Sequence, residues 1–225
     1  MNVAIIVAAG RGSRAGGGRA KQFREISGIP VIIHTLRRFE RSETISETVV
    51  VLPADACAEF PALAASHGLR KVARALAGGE TRAESVLRGL ETLGGPGVVA
   101  VHDGVRPFVA PEEIDRTVRE AETYGAALLA APVVDTIKEA EGGAVLRTLE
   151  RARLWHAQTP QCFRVELLRR AYAQPGALLP DVTDDSALVE RLGASVRIVR
   201  GGAHNFKITT ERDFALAEIL LKGSQ

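Results

Sequence analysis

The stretch IVAAGRGSRAGGGRAKQF, residues 6–23, is an apolar run that breaks into glycines and alanines set around Arg11, Arg14, Arg19 and Lys21. A buried strand that runs directly into a glycine-rich loop is how an α/β nucleotide-binding unit begins, because backbone without side chains can approach phosphates closely. Gly10-Arg11-Gly12-Ser13-Arg14-Ala15 fits the pattern G-x-G-x-x-G/A. The fit ends there. The loop continues through Gly16, Gly17 and Gly18, and His34-Thr35 stand where a dinucleotide site would place its ribose-holding acid, about 20 residues on. A Walker loop is excluded as well, since Lys21 lies between Ala20 and Gln22 with no hydroxyl residue following it. A pliable backbone with four cations suits a triphosphate.

Beyond this loop, the runs VAIIVA (3–8), ETVVVLP (47–53) and GVVAVHD (97–103) alternate with amphipathic segments, which predicts a buried, mostly parallel sheet sandwiched by helices. In TRAESVLRGLETL, Ala83, Val86, Leu87, Leu90 and Leu93 share one helical face, and Thr81 with Glu84 forms a capping box. Gly78-Gly79-Glu80 is then a loop aimed at the top of the sheet. PEEIDRTVREAETYG predicts a helix ending at Gly125, followed by the strand AALLAAPV. Residues 135–159 change pattern about Gly142-Gly143 and predict a protruding β-arm. Such an arm is marginal alone and should pack on something, a second subunit or its own sheet. QTPQCF (158–163) predicts a tight bend around Pro160, TDDSALVE a helix start at Thr183-Asp184, and Thr210 with Asp213 the start of a last helix. No repeat or linker divides residues 1–225, so a single domain is expected.

Composition narrows the function. The formal charge is +2, from 29 basic and 27 acidic residues without basic blocks, which argues against nucleic acid and membrane surfaces as partners. Cys57 and Cys162 are too few for a disulfide scaffold, and MNVAIIVAAG has no basic n-region and is too short to span a bilayer; both point to the cytoplasm. Only five of the 29 basic residues are lysines, so Lys21, Lys138 and Lys207, beside glycines, aspartates or threonines, are suspects for work that needs a compact ammonium.

Ligands of an open parallel sheet sit outside the carboxyl ends of the strands. There the chain delivers the loop Gly10 to Lys21, Asp103 within VHDGVRPF, and Asp135-Thr136-Ile137-Lys138. An acid after a strand can be a mere cap or turn residue. Gly104 and Arg106 beside Asp103 favour a site for a divalent cation or a hydroxylated phosphate substrate. No HExxH, paired-histidine or G-x-S-x-G arrangement supports a held transition metal or a serine nucleophile.

Taken in order, AAGRGSR, KQF, GGETRAESV, VHDGVRPF, APVVDTIK, WHAQTPQ, TDD and NFKIT resemble the 2-C-methyl-D-erythritol 4-phosphate cytidylyltransferases, over about residues 3–220. The resemblance implies a Rossmann-like α/β fold of the nucleotide-diphospho-sugar transferase type, a homodimer embraced by the arm, and reaction of CTP with methylerythritol phosphate, assisted by magnesium held mainly by the CTP phosphates. It implies that Ala8, Ala9, Gly10, Gly12, Gly79, Glu80 and Ser85 face the nucleotide and that Arg14, Lys21 and Lys207 are catalytic around the triphosphate. Asp103, Arg106, Thr159 and Thr183 would border the second substrate, Asp103 also touching the metal. Thr136 and Arg151 of the arm would reach the partner subunit's substrate. Glu80 stands where the family commonly has aspartate, and His204 where an aspartate often precedes Asn205.

A ribitol 5-phosphate cytidylyltransferase would share the glycine loop, both lysines and Asp103. A nicotinamide-dependent oxidoreductase is disfavoured by the missing ribose acid. A silent nucleotide-binding regulator is disfavoured because it has no need of cations placed for a transition state.

Overall fold

The computed structural model describes residues 1–10, 20–179 and 182–222. Gly12 and Arg14 of the glycine loop, with Arg11 and Arg19, lie outside the described residues.

The chain opens with β1 (Val3–Val7), followed by a short antiparallel pair, β2 (Glu25–Ile26) and β3 (Ile29–Pro30). Next come α1 (Val31–Arg41), β4 (Glu47–Leu52), α2 (Phe60–Ser66), β5 (Val72–Ala77) and α3 (Arg82–Glu91). The middle of the chain forms β6 (Val98–Asp103), α4 (Pro111–Tyr124), β7 (Ala126–Pro132) and a hairpin of β8 (Lys138–Glu141) and β9 (Ala144–Thr148). It closes with β10 (Trp155–Arg164), α5 (Val165–Tyr172), α6 (Asp185–Arg191), β11 (Arg197–Arg200) and α7 (Glu211–Lys222).

Seven strands make the central sheet in the order β11-β7-β10-β6-β1-β4-β5. All neighbours are parallel except around β10, which runs antiparallel to both β6 and β7. Because successive strand residues face opposite sides, β1 buries Ala4 and Ile6 against one layer and Val3 and Ile5 against the other. Ile32, Ile33, Leu36 and Phe39 of α1 and Ile114, Val118 and Ala121 of α4 cover the first face. Val86 and Leu90 of α3, Leu168 of α5 and Leu188 of α6 cover the second. Burial on both sides is why these strands are continuous apolar runs rather than alternating ones.

The helix boundaries follow local chemistry. Thr81 Oγ1 accepts from Glu84 N–H at 3.1 Å while the Glu84 carboxylate accepts from the Glu80 and Thr81 N–H groups, the expected capping box. α4 stops at Gly125, whose φ of +94° suits glycine. Thr210 and Asp213 cap each other ahead of α7.

Two expectations change. The arm is the hairpin of residues 138–148, turned by Gly142 and Gly143 at φ +57° and +84°; the last part of the expected 135–159 segment, from Trp155 on, belongs to the central sheet. QTPQCF is no bend but the middle of β10. Pro160 donates no N–H to a ladder, and the register with β7 slips between Ala157 and Gln161, so the strand bulges instead of turning.

α3 reaches its place over β1 because Gly89 has no side chain: a Cβ there would lie 2.8 Å from Ile5 Cγ2. Gly89→Val is expected to destabilise the fold by about 1–3 kcal/mol through overpacking, read as a lowered denaturation midpoint.

Candidate active site

A cleft of about 660 Å³ opens at the carboxyl ends of β1 and β6. The main chain of Ala8, Ala9 and Gly10 forms one wall and Gly79, Glu80 and Ser85 another, with Lys21, Asp103 and Lys207 between them. Tertiary structure thus joins Ala8, Ala9, Gly10, Gly79, Glu80 and Ser85 of the expected nucleotide-facing set with Asp103 and both lysines, from segments far apart in the chain. Close approach is built in: a Cβ on Gly104 would come within 2.8 Å of Ala8 Cβ, and one on Gly78 within 2.7 Å of Ser85 Oγ. Ser85 is no nucleophile. Its hydroxyl donates to the Thr81 carbonyl at 2.9 Å and accepts from Gly79 N–H at 3.1 Å, which shapes the glycine turn.

Asp103 ends β6 in a buried position, and three cations meet it. Arg82 Nε faces Oδ1 at 3.3 Å, while Arg106 Nε and Lys207 Nζ face Oδ2 at 3.2 and 3.0 Å. Burial alone would push its pKa up; Arg82, Lys207 and Arg106 outweigh that and hold it well below the usual carboxylate range. A carboxylate so buried depends on such cations, and of the three Arg106 is the most enclosed and Lys207, 41% exposed, the least. Lys21 is held differently, its ammonium donating to the Thr209 carbonyl.

The surroundings of Asp103 do not fit a protein-held magnesium ion. Both of its oxygens already face guanidinium or ammonium groups, and among the described residues no cluster of three or more His, Cys, Asp or Glu could hold a metal. The resemblance-based role of Asp103 as a metal ligand therefore finds no support in the donor set.

Thr159 is buried behind Asp103. Its hydroxyl accepts from Asp103 N–H at 3.1 Å and lies 3.0 Å from His102 Nδ1. The Arg106 carbonyl, 3.2 Å from Nε2, can only accept, so neutral His102 carries its proton on Nε2 and its Nδ1 accepts from the Thr159 hydroxyl. Thr183 is exposed beside Asp184, which caps α6 by accepting from Ala187 N–H. Thr136 and Arg151 are exposed by the arm, Arg151 donating to the Val134 carbonyl, and neither lines the cleft of its own chain.

Two lining residues escaped the sequence reading. Gln22, buried, donates through Nε2 to the carbonyls of Ala8 at 2.7 Å and Gly10 at 3.1 Å, tying the far end of the glycine loop back to β1. Arg82 joins Asp103 to the fully buried Asp185. A signal for Arg82 was present: a cation in the first turn of α3 opposes the helix dipole and needs another reason to be there.

A profile of the 2-C-methyl-D-erythritol 4-phosphate cytidylyltransferase family matches residues 2–223. The chain is similar to the cytidylyltransferases of that name from Pelotomaculum thermopropionicum, 44% identical with 99% of this chain and 94% of that protein covered, and from Geobacillus kaustophilus, 44% identical with 97% and 96% covered. Among solved structures it is similar to the Thermus thermophilus cytidylyltransferase, with TM-score 0.78, 36% identity and coverage of 97% and 98%. It is also similar to the 4-diphosphocytidyl-2C-methyl-D-erythritol synthase of Anaerococcus prevotii, with TM-score 0.86, 30% identity and coverage of 98% and 96%.

Burial lowers the His102 pKa to about 4, below the 6.5 of a free imidazole. The unfolded chain therefore binds the proton first as pH falls. Stability from neutral His102 is fully present above pH 6.5 and is lost toward pH 4, with a slope of up to about 1.4 kcal/mol per pH unit. Urea denaturation between pH 7 and 5 should show this slope, and His102→Gln, which cannot titrate, should reduce it, the remainder including His34, whose pKa burial also lowers.

Proposed function

The chain belongs to the 2-C-methyl-D-erythritol 4-phosphate cytidylyltransferase family, and on that footing we propose how its own residues serve the family's reaction. The enzyme joins CTP and 2-C-methyl-D-erythritol 4-phosphate to give 4-diphosphocytidyl-2-C-methyl-D-erythritol and pyrophosphate, a step of the non-mevalonate isoprenoid route. A phosphate oxygen of the polyol attacks the α-phosphorus of CTP. The new P–O bond forms as the bond to the β-bridging oxygen breaks, and pyrophosphate leaves with the electron pair. That attacking oxygen is already anionic at neutral pH, so the site needs no general base, only alignment and counter-charge.

The observation that carries this reading is the convergence of Lys21 and Lys207 on a glycine-walled cleft where Ser85, the one serine among the described lining residues, has committed its proton to the backbone. In the reading, Ala8, Ala9, Gly10, Gly79, Glu80 and Ser85 receive the nucleoside, and Gly12 belongs to the phosphate-approaching loop. Arg14, Lys21 and Lys207 neutralise the triphosphate, and Lys207 exchanges Asp103 for phosphate when CTP enters. Asp103, Arg106, Thr159 and Thr183 bound the polyol phosphate, with Thr159 acting from behind by fixing the Asp103 peptide. Magnesium is a passenger of the CTP phosphates rather than a ligand of Asp103.

The chain works as a homodimer. The hairpin and its approach expose Val134, Val145 and Leu146 at 72, 61 and 58%, and a two-stranded arm so exposed gains from a second copy that covers it. Thr136 and Arg151 then meet the partner subunit's substrate. The free thiols of Cys57 and Cys162 suit the cytoplasm, and no described helix is long and apolar enough to cross a membrane.

Pyrophosphate release with CTP and magnesium tests the reaction: turnover is expected with methylerythritol 4-phosphate and not with ribitol 5-phosphate, whereas turnover confined to the latter would reassign the second substrate. Mixing tests the arm. Lys21→Ala and Thr136→Ala chains, each inactive alone, should regain activity when combined, because one heterodimer site then has all its groups; absence of recovery counts against a shared site.

A further inference from the structure

Asp103 is held at two points. Oδ2 has Arg106 and Lys207, whereas among the described residues Oδ1 has Arg82 alone, at 3.3 Å. The other edge of the Arg82 guanidinium donates from Nη1 to Asp185 Oδ2 at 2.8 Å. Asp185 is the first residue of α6, fully buried, and its remaining oxygen accepts from Tyr172 O–H at 2.6 Å. Gln161 of β10 completes the assembly: Oε1 accepts from the N–H groups of Asp185 and Ser186 at 3.1 and 3.0 Å, and Nε2 donates to Asp184 at 2.8 Å.

One planar guanidinium therefore spans two acids on different elements, a geometry that a single ammonium cannot reproduce. Asp103 and the chain entering α6, which carries Thr183, are thus fixed relative to each other directly by this side chain, beside the anchorage of α6 to the sheet through Gln161.

We propose that Arg82 is a positioning residue that sets the polyol-phosphate end of the site by bridging Asp103 to Asp185, and that Asp185, though buried and outside the cleft, governs affinity for the second substrate. This rests on the reading of Asp103 and Thr183 as borders of that substrate. Its contribution lies in alignment, so its loss weakens the polyol phosphate far more than CTP.

The test compares wild type, Arg82→Lys, Asp185→Asn and the double variant by pyrophosphate release, with CTP binding measured separately by titration. Expected are a rise of about tenfold in KM for methylerythritol 4-phosphate in each single variant, CTP affinity within about threefold of wild type, and a double variant no worse than the worse single one. Arg82→Lys keeps charge at a partly exposed position, and CTP binding certifies folding. Should Asp185→Asn fail to fold, Tyr172→Phe, which removes only the hydroxyl on the far oxygen of Asp185, takes its place. A lowered denaturation midpoint with unchanged KM would make Arg82 merely structural and overturn the proposal. Equal loss for CTP and polyol phosphate would make it a direct phosphate contact, and additive losses would deny the bridge; either overturns it too. Wild-type enzyme silent with methylerythritol 4-phosphate would instead refute the functional reading beneath it, and the proposal with it.

Discussion

Asp103 closes the central strand β6 with a side chain that is 8% exposed, and a charge so placed has to be answered by cations from wherever the chain can supply them. Arg106 comes from the turn just after the strand, Arg82 from the start of α3, and Lys207 from the loop ahead of α7. One buried charge thus gathers segments from distant parts of the chain onto the end of one strand. Through the Thr209 carbonyl the same C-terminal loop receives Lys21, so the glycine loop's exit joins the assembly. The cations of the cleft are organised around this buried anion.

The sheet supplies the second constraint. In a parallel sheet the loops after β1 and β6 open on the same end, which is why Gly10 and Asp103 become neighbours. β10 runs against this direction, and Gln161 pairs with Val101 of β6, so the bulge carrying Thr159 lies level with Asp103. A polar stretch that would be costly inside a regular strand becomes a buried brace: Thr159 holds the Asp103 peptide and His102, and Gln161 holds α6. Burial of the neutral imidazole is acceptable because both of its nitrogens find partners.

Much of this is legible in the chain alone. β1, β4, β6 and β7, the capping box of Thr81 and Glu84, the stop at Gly125 and the double-glycine turn of the arm each rest on local rules: continuous apolar runs, side chains bonding their own backbone, and glycine at positive φ. Lys21, Asp103 and Lys207 stand out because their residue types are rare or costly where they occur. Gln22, Gln161 and Asp185 do not, since the partners that matter lie 12 to 103 residues away and nothing local marks them, and Arg82 is marked only by its unfavourable place in the first turn of α3, which does not say which acids it meets. β10 is obscured by Pro160, which in sequence signals a bend; only two flanking strands could hold the chain extended through it.

Neighbours a few residues apart are enough to specify most of the alternation of strand and helix, the helix ends, the glycine wall and the candidacy of Lys21, Arg106 and Lys207, so these can be read along the chain. The assembled fold had to choose which acid the cations share, that Thr159 serves Asp103 from behind, and that α6 is tied to the cleft through one guanidinium. Such choices follow from desolvation, and a residue is desolvated by the whole fold rather than by its neighbours in the chain.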